Sequence, residues 1–494
     1  MFRRNMILIC IGLLLLLTLL NILNIWATQY NTRSDKEIRS YTNKNNLKKK
    51  EQRLKSHGLK NQPLHAQIIQ EEIKKSIYTL PLRYFERNLQ YKYVLENIIN
   101  ELNIDQNLNS SIIDKLSNWP NSRQLVPSPT PELGVVIEFL RSIKITHVDN
   151  AKLGTQLKLM ITFENGLKAL FKPQWYKRTT KISGLVYYGK DRHNAEVVAF
   201  YLALLLSFRR IPLALIRKLK LNEEIKKNAS PELLATIFTK YNDTCFYGVC
   251  HYCSSAEPIC GIENILEGSV ILWLPSSWRL IKYKHPWQRT YSESRLARWE
   301  VDMNYCGKVQ RSKIYSLDYS IRLLDLIDVA IFDFLMDNGD RHHYEILKDN
   351  DKNSAILLID NGKSLGNPDL DHIDILAPLY QCCLIRKATW KRLQLFSGGS
   401  LGYALNELLA HESSKANVLP LITNEHLNAI ERRLLTVFGV VEFCIHKNQY
   451  PANTDFQFAF DLGPFLLREQ DLVILYPIVK LKMLGQLKMD CFEV

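Results

Sequence analysis

An α+β fold in two lobes, the first rich in strands and the second in helices, is what the order of hydrophobic patterns predicts. Three observations carry this. Gln156-Leu157-Lys158-Leu159-Met160-Ile161-Thr162-Phe163, then Glu164-Asn165-Gly166, then Leu167 to Lys172 alternate and turn as a β-hairpin does. Asp191 to Leu206 follows as a strongly apolar helix, with carboxylates at Asp191 and Glu196 near its start. A second strand-like run, Val270-Ile271-Leu272-Trp273-Leu274, lies within residues 265–275, and helical patterns dominate from Leu323, most clearly Leu323 to Leu335.

At 494 residues and 46% hydrophobic, the chain can bury one large core or two smaller ones. Residues 1–27 stand apart from it. Arg3 and Arg4 precede an uncharged apolar stretch from Met6 to Trp26, long enough to span a bilayer, since about 20 apolar residues cover its hydrocarbon. The run lacks the small-residue cleavage pattern of a signal peptide, so it is read as an uncleaved signal anchor with the remainder on the lumenal side. Residues 28–60 read as a basic stem, with ten basic and three acidic residues between Arg33 and Lys60. Residues 61–130 carry amphipathic patterns such as Ile68 to Ile77 and Tyr91 to Leu102, a helical extension ended by Pro127, Pro129 and Pro131. The two lobes are then expected at 131–275, with a cysteine-rich insert, and at 276–446. The tail 447–494 has apolar patches that point to no role.

The net charge is +14, much of it in the stem, and no interleaving of aromatic and basic residues points to nucleic acid. Of ten cysteines, Cys10 falls in the anchor and Cys491 near the C-terminus, which leaves eight between Cys245 and Cys444. Cys250-x-x-Cys253 could suggest zinc, but no second pair with finger spacing follows. Downstream of an anchor the even count reads as four disulfides. Sequons at Asn109, Asn228 and Asn242 fit the same secretory compartment as glycosylation candidates.

The chemistry lies in Asn338-Gly339-Asp340-Arg341-His342-His343-Tyr344-Glu345 and in Asp360-Asn361-Gly362, which follows the short apolar run Ile356 to Ile359. Two short acidic motifs could be solvated turns. Phosphoryl transfer, however, needs one carboxylate to take a hydroxyl proton and another to hold a metal on the nucleotide phosphates. Lys172, ending the hairpin, and Glu196, on the next helix, supply the phosphate-neutralising lysine and the carboxylate that holds it. Lysine, helix carboxylate, base loop and metal loop occur in the order of a two-lobed kinase. The order within the base loop is altered, Glu345 stands where an Asn is usual, and no glycine-rich phosphate loop precedes Lys172. His342 and His343 are read as structural, and Trp273, Trp278, Trp287 and Trp299 mostly as core, with one or two free to stack on a sugar.

Gly154 to Lys158, Phe171-Lys172-Pro173, Asp191 to Glu196, Asp340 to Glu345 and Leu376 to Cys383 together resemble a family of atypical secretory-pathway kinases, over about residues 128–445. Pro131 to Gly134, Asn242 to Cys253, Glu267 to Pro275, His285-Pro286-Trp287 and Leu296 to Glu300 are most similar to members that phosphorylate xylose in the glycosaminoglycan–protein linkage tetrasaccharide of proteoglycans. The resemblance implies a two-lobed, atypical protein-kinase-like fold, ATP with Mn2+ (or Mg2+) as cofactors, and a Golgi membrane protein of single-pass type II with its catalytic domain lumenal. It implies Asp340 as base, Asp360 and Asp191 at the metal, and Lys172, Gln156, Glu196, Glu345, Trp273 and Leu274 around the nucleotide. It also implies the disulfides Cys245–Cys260, Cys250–Cys253, Cys306–Cys382 and Cys383–Cys444. A protein serine kinase and a partner-activating pseudokinase remain the alternatives. One departure is Asp337, where the family has glycine; its carboxylate is expected to face solvent.

Overall fold

The computed structural model describes residues 64–104, 112–152, 154–275, 278–292, 295–348, 353–449 and 472–474. The expected anchor and stem, the Asn109 sequon and nearly all of the tail lie outside the described residues. No helix among the described residues is long and apolar enough to cross a membrane.

Four helices come first: α1 (Leu64–Tyr78), α2 (Tyr91–Glu101), α3 (Ile112–Asn118) and α4 (Leu133–Ser142). The first two pack on helices near the other end of the chain. Tyr84, just after α1, stacks on Phe438 at 4.6 Å between ring centroids, so burying these aromatics ties the extension to the C-terminal helices.

β1 (Ile145–Asn150), β2 (Leu159–Phe163) and β3 (Lys168–Pro173) open the strand-rich part. The β2–β3 turn is made as the sequence predicts: Gly166 takes φ +84°, and Phe163 N donates to Leu167 O at 2.9 Å. The first strand is shorter than expected, because Gln156-Leu157-Lys158 stay in the loop before β2. Pairing ends at Leu159 opposite Phe171, and Leu157 would next face Pro173, which has no N–H to donate.

Helix α5 (His193–Leu205) is buried on every side, which is why its sequence is apolar all round. It begins two residues later than expected, since Arg192 is extended at φ −98° and ψ 113° and leaves Asp191 in the preceding loop. Next come β4 (Ala214–Lys220), the small sheet β5 (Ile237–Lys240), β6 (Asp243–Phe246) and β7 (Ile259–Cys260), and then β8 (Ile265–Leu272). The main sheet is antiparallel in the order β1-β2-β3-β8-β4, which places Lys172 opposite Ser269 on β8.

The helical part holds β9 (Leu280–Lys284), α6 (Tyr305–Gln310), α7 (Arg322–Met336), β10 (His343–Leu347), α8 (Ala377–Cys382), β11 (Leu384–Arg386), α9 (Lys387–Leu395), α10 (Ser400–Ala416) and α11 (Asn424–Gln449). Helix α7 is wholly buried, so its three inward carboxylates must be paired. Asp325 takes both guanidinium nitrogens of Arg123 at 2.8 Å, Asp328 accepts from Arg210 and Arg386 at 3.0 Å, and Asp333 is bound by Arg341. The bridges Cys245–Cys260, Cys250–Cys253, Cys306–Cys382 and Cys383–Cys444 are all formed, in the pairing that the resemblance implies. The last two fasten α6 to α8 and the end of α8 to α11.

Candidate active site

Lys172 organises the site. Its Nζ donates to Glu196 Oε1 at 2.6 Å, Asp360 Oδ1 at 2.7 Å and Asp191 Oδ2 at 3.0 Å. Burial alone would lower its pKa, but these three carboxylates override that and hold it well above the ordinary lysine value. In return, Lys172 holds the Asp360 carboxyl well below the usual carboxylate range. Glu196 lies in the first turn of α5, where the helix dipole favours its charge, and it also accepts from the Asn361 backbone N–H at 2.9 Å. Asp191, Glu196 and the distant Asp360 thus meet at one ammonium group.

The carboxylates fit a hard divalent cation. Asp191 and Asp360 both bond the Lys172 ammonium, and Asp360, whose side chain is 66% exposed, faces outward from it. Among the described residues no group of three or more metal-type side chains is assembled. Asp191 and Asp360 would supply two carboxylates, with nucleotide phosphates completing the shell, as is usual for Mg2+-type nucleotide sites. Asp360 sits at φ +59°, a left-handed conformation that side chains seldom adopt and that is common where a functional loop is held in one geometry. Gly362 follows because a Cβ there would lie 2.8 Å from the Asp191 side chain.

Arg341 joins this centre to Asp340. It binds Asp333 on α7 at 2.5 Å and 2.8 Å, and it donates to Ile359 O at 2.7 Å and Asn361 Oδ1 at 2.9 Å, on either side of Asp360. Asp340, one residue before it, is therefore fixed relative to the metal loop. Burial pushes its carboxyl up, and the Asp360 charge adds to this; a hydrogen bond donated by the Tyr291 hydroxyl opposes it. His342 Nδ1 lies 2.7 Å from Asp340 O and 2.9 Å from the Tyr291 hydroxyl. His285, Trp287, Arg289, Tyr291, Trp299 and Asp374 help to line a cleft at this loop.

Other sequence-predicted residues lie around this centre. Glu345 is on β10 rather than in a loop, opposite Lys282 and bridged to Leu357, and burial with the Asp360 charge raises its pKa. Gln156 has a buried Oε1 without a hydrogen-bond partner, an acceptor left available in the loop before β2. The same loop is braced by the Cys250–Cys253 turn, where Tyr252 N donates to Thr155 O at 3.1 Å. Trp273, 37% exposed, and Leu274 follow β8, and Leu274 packs with Leu125, Leu347 and Leu357. Trp287 and Trp299 are core, as expected. Asn242 is exposed and Asn228 half-buried.

Asp337 does not face solvent. It is the left-handed C-cap of α7, at φ +56°, which accounts for the family's glycine there. The aspartate is retained because it is 2% exposed and paired, 3.0 Å from His372 Nδ1 and 3.7 Å from Arg433 Nη2. Burial would raise its carboxyl, but His372 and Arg433 hold it down to about 2, while Asp337 raises His372. The depressed Asp337 stabilises the fold above its unfolded pKa of about 3.8, and loses that effect as pH falls toward 2. The raised His372 stabilises below its unfolded pKa of about 6.5, and loses that effect as pH rises through its folded value. Both contributions are complete between about pH 4 and 6.5. Asp337→Gly is expected to lower the urea midpoint most in that window and to flatten its pH dependence. A variant curve parallel to that of the wild type would refute this pairing.

Sequence reasoning missed Arg341, Asn361 and Tyr291 as site residues. Arg341 and Asn361 lay inside the quoted motifs, where an arginine beside two acidic loops was the available signal. Tyr291 lies 49 residues before Asp340 and carries no local signal at all.

Comparison with known proteins places this geometry. The family described as Golgi casein kinase, C-terminal, Fam20 matches residues 111–453. The chain is 47% identical over 328 residues to a human glycosaminoglycan xylosylkinase, covering 66% of this chain and 79% of that one. A hydra Fam20 structure with sugar is 39% identical, with a TM-score of 0.65, over 69% of this chain and 97% of its own. A Golgi casein kinase structure with Mn/ADP bound is 29% identical, with a TM-score of 0.64, over 79% and 91% respectively. A family match over residues 111–453, with solved structures at TM-scores of 0.65 and 0.64, means that the chain belongs to the Fam20 family.

Proposed function

We propose that the protein is an ATP-dependent kinase that phosphorylates the 2-hydroxyl of xylose in the glycosaminoglycan–protein linkage tetrasaccharide. The observation that carries the transfer chemistry is the convergence of Asp191, Glu196 and Asp360 on Lys172, tied through Arg341 to Asp340. In the reaction Asp340 accepts the proton of the acceptor hydroxyl as its oxygen bonds to the γ-phosphorus. The bond from that phosphorus to the bridging oxygen breaks, and ADP leaves with the electron pair. Lys172 binds the nucleotide phosphates, Glu196 keeps it in place, and Gln156 Oε1, Glu345, Trp273 and Leu274 complete the nucleotide site. Mn2+, when bound by Asp360 and Asp191, neutralises charge on the phosphate oxygens.

Four features support xylose as acceptor. The relative named as a xylosylkinase is 47% identical, and the hydra relative was solved with sugar. The cleft at Asp340 is walled by Tyr291, which is exposed, and an aromatic surface suits the apolar face of a sugar ring. Tyr291 already places one hydroxyl against the Asp340 carboxylate, the geometry that an acceptor hydroxyl needs. The N-terminal anchor, lumenal orientation in the Golgi and glycosylation at Asn109, Asn228 or Asn242 belong to the same proposal. So do lobe boundaries at 131–275 and 276–446.

The purified protein with ATP and Mn2+ is expected to phosphorylate a galactosyl-xyloside and to leave a casein-like peptide unlabelled. Label on the peptide alone would identify a protein serine kinase instead. Nucleotide binding with no transfer to either acceptor would identify a pseudokinase.

A further inference from the structure

We propose that Lys363 contacts the transferring phosphoryl group, as the cation that spans the path from the metal loop to the base. The inference rests on the kinase reading of Asp360 and Asp340 and holds for any acceptor, water included.

Position is the first ground. Lys363 follows Asn361-Gly362, and its backbone is gripped, since Arg192 donates to the carbonyls of Lys363 and Ser364. Its side chain is only 12% exposed, with Nζ 3.9 Å from Asp191 Oδ1 and hydrogen-bonded to Gly189 O. Gly189 belongs to the loop that overlies the base, where Val186 presses on Gly339 so closely that a Cβ there would lie 2.0 Å away. A long, flexible side chain is thus held at both ends inside the site.

Charge is the second ground. The Lys363 ammonium faces the Asp191 carboxylate at 3.9 Å and reaches Gly189 O, in the segment whose Val186 packs on Gly339 next to Asp340. Lys172 cannot take this part. Its side chain is 4% exposed, and its ammonium is committed to Glu196, Asp191 and Asp360. During transfer, negative charge spreads over the three equatorial oxygens of a group moving from the Asp360 side to the Asp340 side. A cation held beside Asp191 and against the Gly189 carbonyl stabilises that charge without reorganising.

The test uses the full-length protein and Lys363→Met. Turnover is expected to fall about 10²-fold, the usual effect of removing one such donor, both in transfer to the acceptor and in slow ATP hydrolysis by water. Mn2+–ADP affinity by calorimetry should stay within threefold, the urea midpoint should not move, and Lys363→Arg should recover most of the rate. Hydrolysis within threefold of wild type would overturn the proposal. So would a weakened Mn2+–ADP affinity with a lowered midpoint, which would make Lys363 a pin between Gly189 and the metal loop. Should neither the xyloside nor the peptide be phosphorylated, the hydrolysis measurement still decides this inference separately.

Discussion

Asp340→Asn is expected to lower turnover by about 10³-fold, within the range for loss of a general base, while Mn2+–nucleotide binding stays unchanged. The amide keeps the shape of the carboxylate and its contact with the Tyr291 hydroxyl, but it cannot accept a proton. Nucleotide binding is preserved because Asp340 bonds neither Lys172 nor Asp360; its link to them runs through Arg341. The pH profile gives a second reading of the same group. Burial and the Asp360 charge raise the Asp340 pKa, so the acid limb of kcat/KM should lie above that of an ordinary carboxylate. Tyr291→Phe removes the hydrogen bond that opposes this rise and should move the limb to still higher pH. Unchanged turnover in Asp340→Asn, or an acid limb that Tyr291→Phe leaves in place, would remove Asp340 from the role of base.

Much of the fold was legible because its defining elements carry strong periodic signals. The hairpin β2–β3 alternates around Glu164-Asn165-Gly166, α5 is apolar on every face because it is covered on every face, and α7 repeats the same logic. Boundaries were less legible where one residue decided them: Pro173 ended the pairing that would have taken in Leu157, and Arg192 left Asp191 outside its helix. Strands β1, β4, β9 and β10 went unread. β10 is only five residues long, with burial that stops alternating at its end, and its partner β9 is distant in sequence. The site was legible as types and order, lysine, carboxylate, base loop and metal loop, since phosphoryl transfer fixes those. What joins them was not. Arg341 reaches Asp333, Ile359 and Asn361 only after folding, and Tyr291 reaches Asp340 from a distant loop. Asp337 shows the limit most clearly, because its partners His372 and Arg433 are set by tertiary packing alone.

Lys172→Met is the second large effect expected, and it should appear in stability as well as in activity. Nucleotide binding should be lost, since the phosphate cation is gone. The fold should also lose about 3 kcal/mol, the lower end for breaking a buried charge cluster by removing one partner, because Asp191 and Glu196 would remain buried without a counter-charge. Asp360, 66% exposed, adds little to that cost because water screens it. Adding Glu196→Gln to Lys172→Met removes one of the stranded charges, and the double variant should therefore unfold at higher urea than Lys172→Met alone while remaining inactive. That sign is diagnostic: two independent sites would give additive losses, whereas a shared cluster gives partial recovery. If the double variant were the less stable of the two, Lys172 and Glu196 would not be held as a pair, and the convergence of three carboxylates on one ammonium would not be the organising feature of the site.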